Sequence, residues 1–94
     1  MTRDRWTPPV TDSGELTVQL ITASGAQHRV LMLARDPAGV RVREWRAGEW
    51  ARGPEERVVS AQSLLAQLDE VVRNRQRVEP DVAYVREWLG GARR

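Results

Sequence analysis

The chain has no cysteine, no lysine and a single histidine. It also has no apolar run near the roughly 18 residues that a membrane-spanning helix needs. Without cysteine there is no thiol nucleophile, no disulfide framework and no cysteine-ligated zinc ribbon. That composition suits a reducing compartment, and a cytoplasmic location is the expectation. Arg3 and Arg5 are followed by no apolar stretch, so no secretory leader is expected. The lone His28 has no evident triad partner. Asp69 and Glu70 are neighbours on a helical pattern and point to different sides. Glu55 and Glu56 fall in a loop pattern. The glycines are scattered through turns and form no phosphate-cradling loop. The chain therefore reads as a non-enzyme, with no metal, no cofactor, no membrane contact and no small-molecule substrate.

What is present is arginine. All 15 basic residues are arginine, set against 13 acidic residues, for a net charge of +2. A balance this even does not by itself indicate a polyanion partner, so the placement of the arginines decides. The guanidinium is a planar fork that grips phosphate and stacks on aromatic faces. With 94 residues the chain has room for one domain with a thin stability margin, which favours self-association.

Along the chain, residues 1–13 are polar, contain Pro8 and Pro9, and read as a flexible arm. Residues 16–20 alternate with period two, as in a strand. Ser24-Gly25 turns the chain into a second strand, 28–35, apolar on both sides. Asp36-Pro37-Ala38-Gly39 carries type I turn residues. Residues 40–46 alternate again, Ala47-Gly48 reads as a turn, and 49–53 as a short fourth strand ending at Gly53-Pro54. Ser60 then caps a long helix whose apolar stripe includes Leu64, Leu68 and Val71. A shorter helix is expected from Pro80, burying Val82, Val85 and Leu89. The expected fold class is α+β: a four-stranded antiparallel meander, one long C-terminal helix on one face, and a short second helix. Its divisions are an arm (1–13), sheet plus long helix (14–78), and short helix with tail (79–94).

The turns set the register. Leu20 is expected opposite Arg29, Val18 opposite Leu31, Arg35 opposite Val40 and Leu33 opposite Val42. One face then collects Leu16, Val18, Leu20, Leu31, Leu33, Val40 and Val42, a surface for the long helix. The other collects Ile21, Val30, Met32, Ala34, Arg41, Arg43 and Trp45. A two-residue turn at Ala47-Gly48 adds Trp50 opposite Trp45 and Arg52 opposite Arg43. An apolar face bearing Trp and Arg implies contact with something. Three coverings are consistent with it: a single-stranded nucleic acid, a second copy of the chain, or the second helix folding back with Tyr84 and Trp88.

The segment 28–72 resembles the transcriptional positive-coactivator family of single-stranded-DNA-binding proteins, in the Pur-alpha and Whirly-like group. The matching residues are Arg35-Asp36 before a turn closing at Gly39, the alternating strand Val40-Arg41-Val42-Arg43-Glu44-Trp45, Gly48-Glu49-Trp50, Gly53, Val58-Val59-Ser60 at the helix start, and Leu65-x-x-Leu68. Pro37 stands where the family turn carries an aromatic, and Glu55-Glu56-Arg57 where it carries basic residues. The resemblance implies a strand-strand-strand-strand-helix order and a homodimer that binds single-stranded DNA or RNA in transcription, repair or the nucleoid. Bases would stack on Trp45 and Trp50, Arg41, Arg43 and Arg52 would hold phosphates, and Leu65 and Val72 would lie in the dimer contact. The competing expectation is a homodimeric protein–protein module whose open sheet face is the interface.

Overall fold

A computed structural model describes residues 6–9 and 14–90. It is α+β, with strands β1 (Leu16–Ile21), β2 (Gln27–Asp36), β3 (Gly39–Arg46), β4 (Glu55–Val59) and β5 (Arg77–Glu79), and helices α1 (Ala61–Arg73) and α2 (Val82–Gly90). The strands form one antiparallel sheet of order β4-β3-β2-β1-β5. No helix among the described residues is long and apolar enough to cross a membrane.

The central three strands pair as the turns dictate. Leu20 faces Arg29, Val18 faces Leu31, Leu33 faces Val42 and Arg35 faces Val40. The period-two face these strands share is the core, where Val18, Leu20, Leu31, Leu33, Val40 and Val42 are all buried. Helix α1 lies over it with Leu64, Leu68 and Val71. Its start is held by Ser60, whose hydroxyl accepts a hydrogen bond from the Ser63 backbone N–H at 3.0 Å. That bond satisfies one of the free donors in the first turn.

The sheet has five strands rather than four, and two parts of the expected chain path are corrected. Residues 50–52 are a single turn of 3-10 helix, not a strand. Gly48 (φ 83°) and Gly53 (φ 91°) place positive φ on both sides of that turn, so the chain bends before and after Trp50. Pro54 leads into β4 rather than closing a strand, a position a sheet edge tolerates. Arg43 therefore pairs with Glu56, and Glu44 with Glu55. Neither Trp50 nor Arg52 occupies a ladder position beside β3.

The second correction follows α1. Arg75 takes a left-handed conformation (φ 65°), with its N–H bonded to the Val72 carbonyl and the Gln76 N–H bonded to the Val71 carbonyl. This closing motif, usually built on glycine, stops the helix. The chain then adds β5 along β1, with Val78 buried opposite Leu20. The long helix is thus not the C-terminal element. Helix α2 starts at Val82, two residues after Pro80, because Asp81 is its cap: the Asp81 Oδ1 accepts from the Tyr84 N–H at 2.9 Å. Val85 of α2 joins the core, with Trp88 and Leu89 packed against it.

Candidate binding surfaces and the buried Glu44 cluster

The second sheet face is sealed in the monomer. Ile21, Val30, Met32 and Ala34 are buried, and Trp45 is 5% exposed. All five lie outside the cluster that the helices form with the first face. Part of the cover comes from the N-terminal segment. The Trp6 ring stacks on Trp50 at 4.7 Å between centroids, nearly parallel at 6°, and meets Trp45 at 5.3 Å. Gln27 anchors this segment in both directions. Its Oε1 accepts from the Trp6 N–H at 3.0 Å, and its Nε2 donates to the Trp6 carbonyl at 2.7 Å. Pro8 is buried nearby in sequence. The segment 6–9 of the expected flexible arm is therefore docked; Arg3, Arg5 and residues 10–13 lie outside the described residues. The second helix does not fold onto this face. Trp88 packs against the first face and carries the Arg35 guanidinium over its ring at 4.1 Å, while Tyr84 is exposed.

The expected phosphate-holding arginines each sit beside a carboxylate. Arg41 Nε is 3.5 Å from Glu56 Oε2, and Arg52 Nη1 is 3.5 Å from Glu49 Oε1. Arg43 donates to Glu15 and lies over Met32, with Nη2 3.4 Å from the sulfur. Trp45 and Trp50 do come together, as expected, but through the indole of Trp6 between them rather than as cross-strand partners. Of the expected dimer residues, Leu65 is half-buried against the core and Val72 is 48% exposed.

One cluster has no counterpart in the sequence reading. Glu44 continues the inward alternation of Val40 and Val42, so a carboxylate points to the core face and is only 3% exposed. Three guanidiniums converge on it. Arg57 Nη1 donates to Oε1 at 2.9 Å, while Arg29 Nη1 and Arg46 Nε each donate to Oε2 at 3.2 Å. Burial alone would push the Glu44 pKa up. The hydrogen bonds from Arg57 and Arg29, the Arg29 charge and the Arg46 hydrogen bond outweigh it and hold the carboxyl below its ordinary value. Arg46 is shared with Glu55 at 3.3 Å. The Arg29 Nε is buried and, among the described residues, has no hydrogen-bond partner. Extending the β3 alternation by one step would have placed Glu44 inward; the position of Arg57 depended on β4, which the sequence reading started too early.

Beside this cluster a cavity of about 280 Å³ opens between the sheet and α1. Leu20, Leu31, Leu68 and Val71 form its apolar part, and Arg29, Glu44 and Arg57 its charged end. An apolar concavity with a few convergent polar groups is the usual form of a small-ligand site.

Compared with protein-family models, curated proteins and solved structures, the chain has no match. The class that the fold defines is thus a small α+β domain with one five-stranded antiparallel sheet and a two-helix layer.

Proposed function

We propose that this chain is a non-catalytic interaction module that binds protein, and in the first place a second copy of itself, through its helical layer. The observation that carries this reading is how the surface is divided. The arginines expected to hold phosphates are spent on Glu15, Glu49 and Glu56. Paired charges of this kind produce a weak external field for a polyanion. Two of the three large apolar side chains left exposed, Val72 and Tyr84, stand instead on α1 and α2. These helices pack together, with Arg86 3.9 Å from Asp69. Exposed apolar groups on a rigid helical layer are what a partner surface buries. Val72 was expected in the dimer contact and has the exposure the role needs. Leu65, half-buried under the same layer, supports it from beneath. A cytoplasmic location belongs to the same proposal.

Light scattering on the full chain tests this. The mass should approach twice 10.7 kDa as concentration rises. Val72→Asp should weaken the dimer at least about tenfold, the effect of roughly 1.4 kcal/mol at a buried contact, with its circular dichroism unchanged. A monomer at all concentrations up to about 1 mM, where even a millimolar dimer would be half formed, would overturn the reading.

A second reading is favoured by one specific observation. The parallel stack of Trp6 on Trp50 demonstrates that Trp50 offers a flat face to an aromatic partner. In that reading the segment around Trp6 yields its place to a base of single-stranded DNA or RNA, with Arg41, Arg43 and Arg52 turning to the phosphates, as the resemblance of residues 28–72 implies. Each stacked base would contribute about 1–3 kcal/mol. Against this stands the loss of the Trp6 stack and of three ion pairs.

A further inference from the structure

We propose that the cavity between the second half of α1 and the β2–β3–β4 corner of the sheet binds a small organic monocarboxylate, a single carboxyl group on a compact apolar body. The sequence carries no local signal for such a site, because its walls come from four strands and a helix. Three features of the cavity select this chemistry.

The first is an unmet donor. Arg29 uses Nη1 on Glu44 Oε2, while its Nε is buried without a partner among the described residues. Buried donors of this kind are uncommon, and each calls for an explanation. A carboxylate oxygen placed there would accept from Nε and form a charge-assisted hydrogen bond.

The second is the charge balance. The connected groups around the cavity are the guanidiniums of Arg29, Arg46, Arg57 and Arg73 and the carboxylates of Glu44, Glu55 and Glu70. Four cations face three anions, so one negative charge neutralises the set. A dianion would overshoot it. Glu44 itself is saturated by its three arginines and does not compete for further donors.

The third is shape and polarity. About 280 Å³ lies near the small end of the roughly 300–1,000 Å³ range of ligand pockets. Leu20, Leu31, Leu68 and Val71 line the part away from the charges. That surface suits a short aliphatic or single-ring body, which an inorganic anion lacks. Gln67 and Asn74 of α1, both exposed, stand on the helical wall. The site is independent of the proposed dimer contact, because Val72 projects from a different side of α1 than these two residues.

The test is two-dimensional nitrogen–proton NMR on the full chain titrated with hexanoate, with hexanamide and with inorganic phosphate. Hexanoate should give saturable shifts at the Arg29 Nε–H and at the Leu68 and Val71 amides. Hexanamide, which keeps the body and removes the charge, should bind at least about tenfold more weakly, as expected when a hydrogen bond to a charged group is lost. Arg29→Gln should weaken hexanoate by a similar factor. Gln67→Trp, a change at an exposed position, should block the cavity while leaving the thermal melt unchanged. Should Arg29→Gln fail to fold, Gln67→Trp decides alone: undiminished hexanoate binding would overturn the proposal. Shifts that never saturate, hexanamide or phosphate binding as tightly as hexanoate, or full binding by Arg29→Gln would overturn it equally.

Discussion

Trp45→Ala should destabilise the fold by about 3–4 kcal/mol, in the range measured for large-to-small changes in cores. For a domain of this size that is a fall of roughly 15–25 °C in Tm. Trp45 is 5% exposed, sits opposite Val30 in the β2–β3 ladder and touches the Trp6 ring at 5.3 Å. Truncation opens a cavity and removes an aromatic contact that contributes beyond its buried area. Trp6→Ala should cost less, about 1–2 kcal/mol, since Trp6 is half-buried and at the margin of the cluster. A tryptophan acting as an exposed stacking platform would behave in the opposite way: its removal would leave the melt almost unchanged. Thermal denaturation followed by circular dichroism decides between the two, and a loss below about 1 kcal/mol for Trp45→Ala would contradict the structural role.

Glu44→Gln should cost about 2–3 kcal/mol at neutral pH. Removing one member of a buried ion cluster leaves the others uncompensated, which costs up to 3–5 kcal/mol when they cannot reach water. Here Arg29, Arg46 and Arg57 are each partly exposed and recover some hydration, which sets the lower figure. The same cluster gives a pH dependence of defined sign. The Glu44 carboxyl is held below its ordinary value in the folded protein, despite its burial, by Arg57, Arg29 and Arg46. The unfolded chain therefore binds this proton at higher pH than the folded one does. The stabilisation is complete above the unfolded value, about 4.3, and disappears as pH falls through the lower folded value. Urea titrations at about pH 7 and about pH 3 should show a loss in the wild type that Glu44→Gln largely lacks. Equal stability of the two proteins at pH 7, or an identical loss in acid, would contradict this account.

The sequence was most legible where local rules and long-range packing agree. Ser24-Gly25 and Asp36 to Gly39 fix two turns, and period-two alternation between them leaves one register that buries Val18, Leu31, Leu33 and Val42 together. The α1 stripe and the Ser60 cap are likewise local signals. β5 was not legible because a three-residue strand with one apolar side chain, Arg77–Glu79, has no period to detect. Its pairing is set by where Arg75 ends the helix. β4 was shifted because Gly53-Pro54 reads equally as the end of one strand or the approach to the next. The sealing of the second face depends on Trp6 meeting residues about 40 positions away, and nothing in the local composition of the arm announces that contact. The Glu44 cluster was obscured for a different reason. Its alternation was visible, but a carboxylate on the core side becomes tenable only with three guanidiniums around it, one of them from the displaced β4.

The central claim is that the tryptophan-bearing sheet face is occupied by the chain's own N-terminal segment, leaving protein contact to the helical layer. Its most direct test is a fluorescence-anisotropy titration of a labelled mixed-sequence single-stranded oligonucleotide at low salt, with intrinsic tryptophan emission recorded in parallel. The account predicts no saturable rise in anisotropy and no change in tryptophan emission. Saturable binding that quenches the tryptophans and weakens steeply with added salt, the signature of released phosphate counterions, would contradict it.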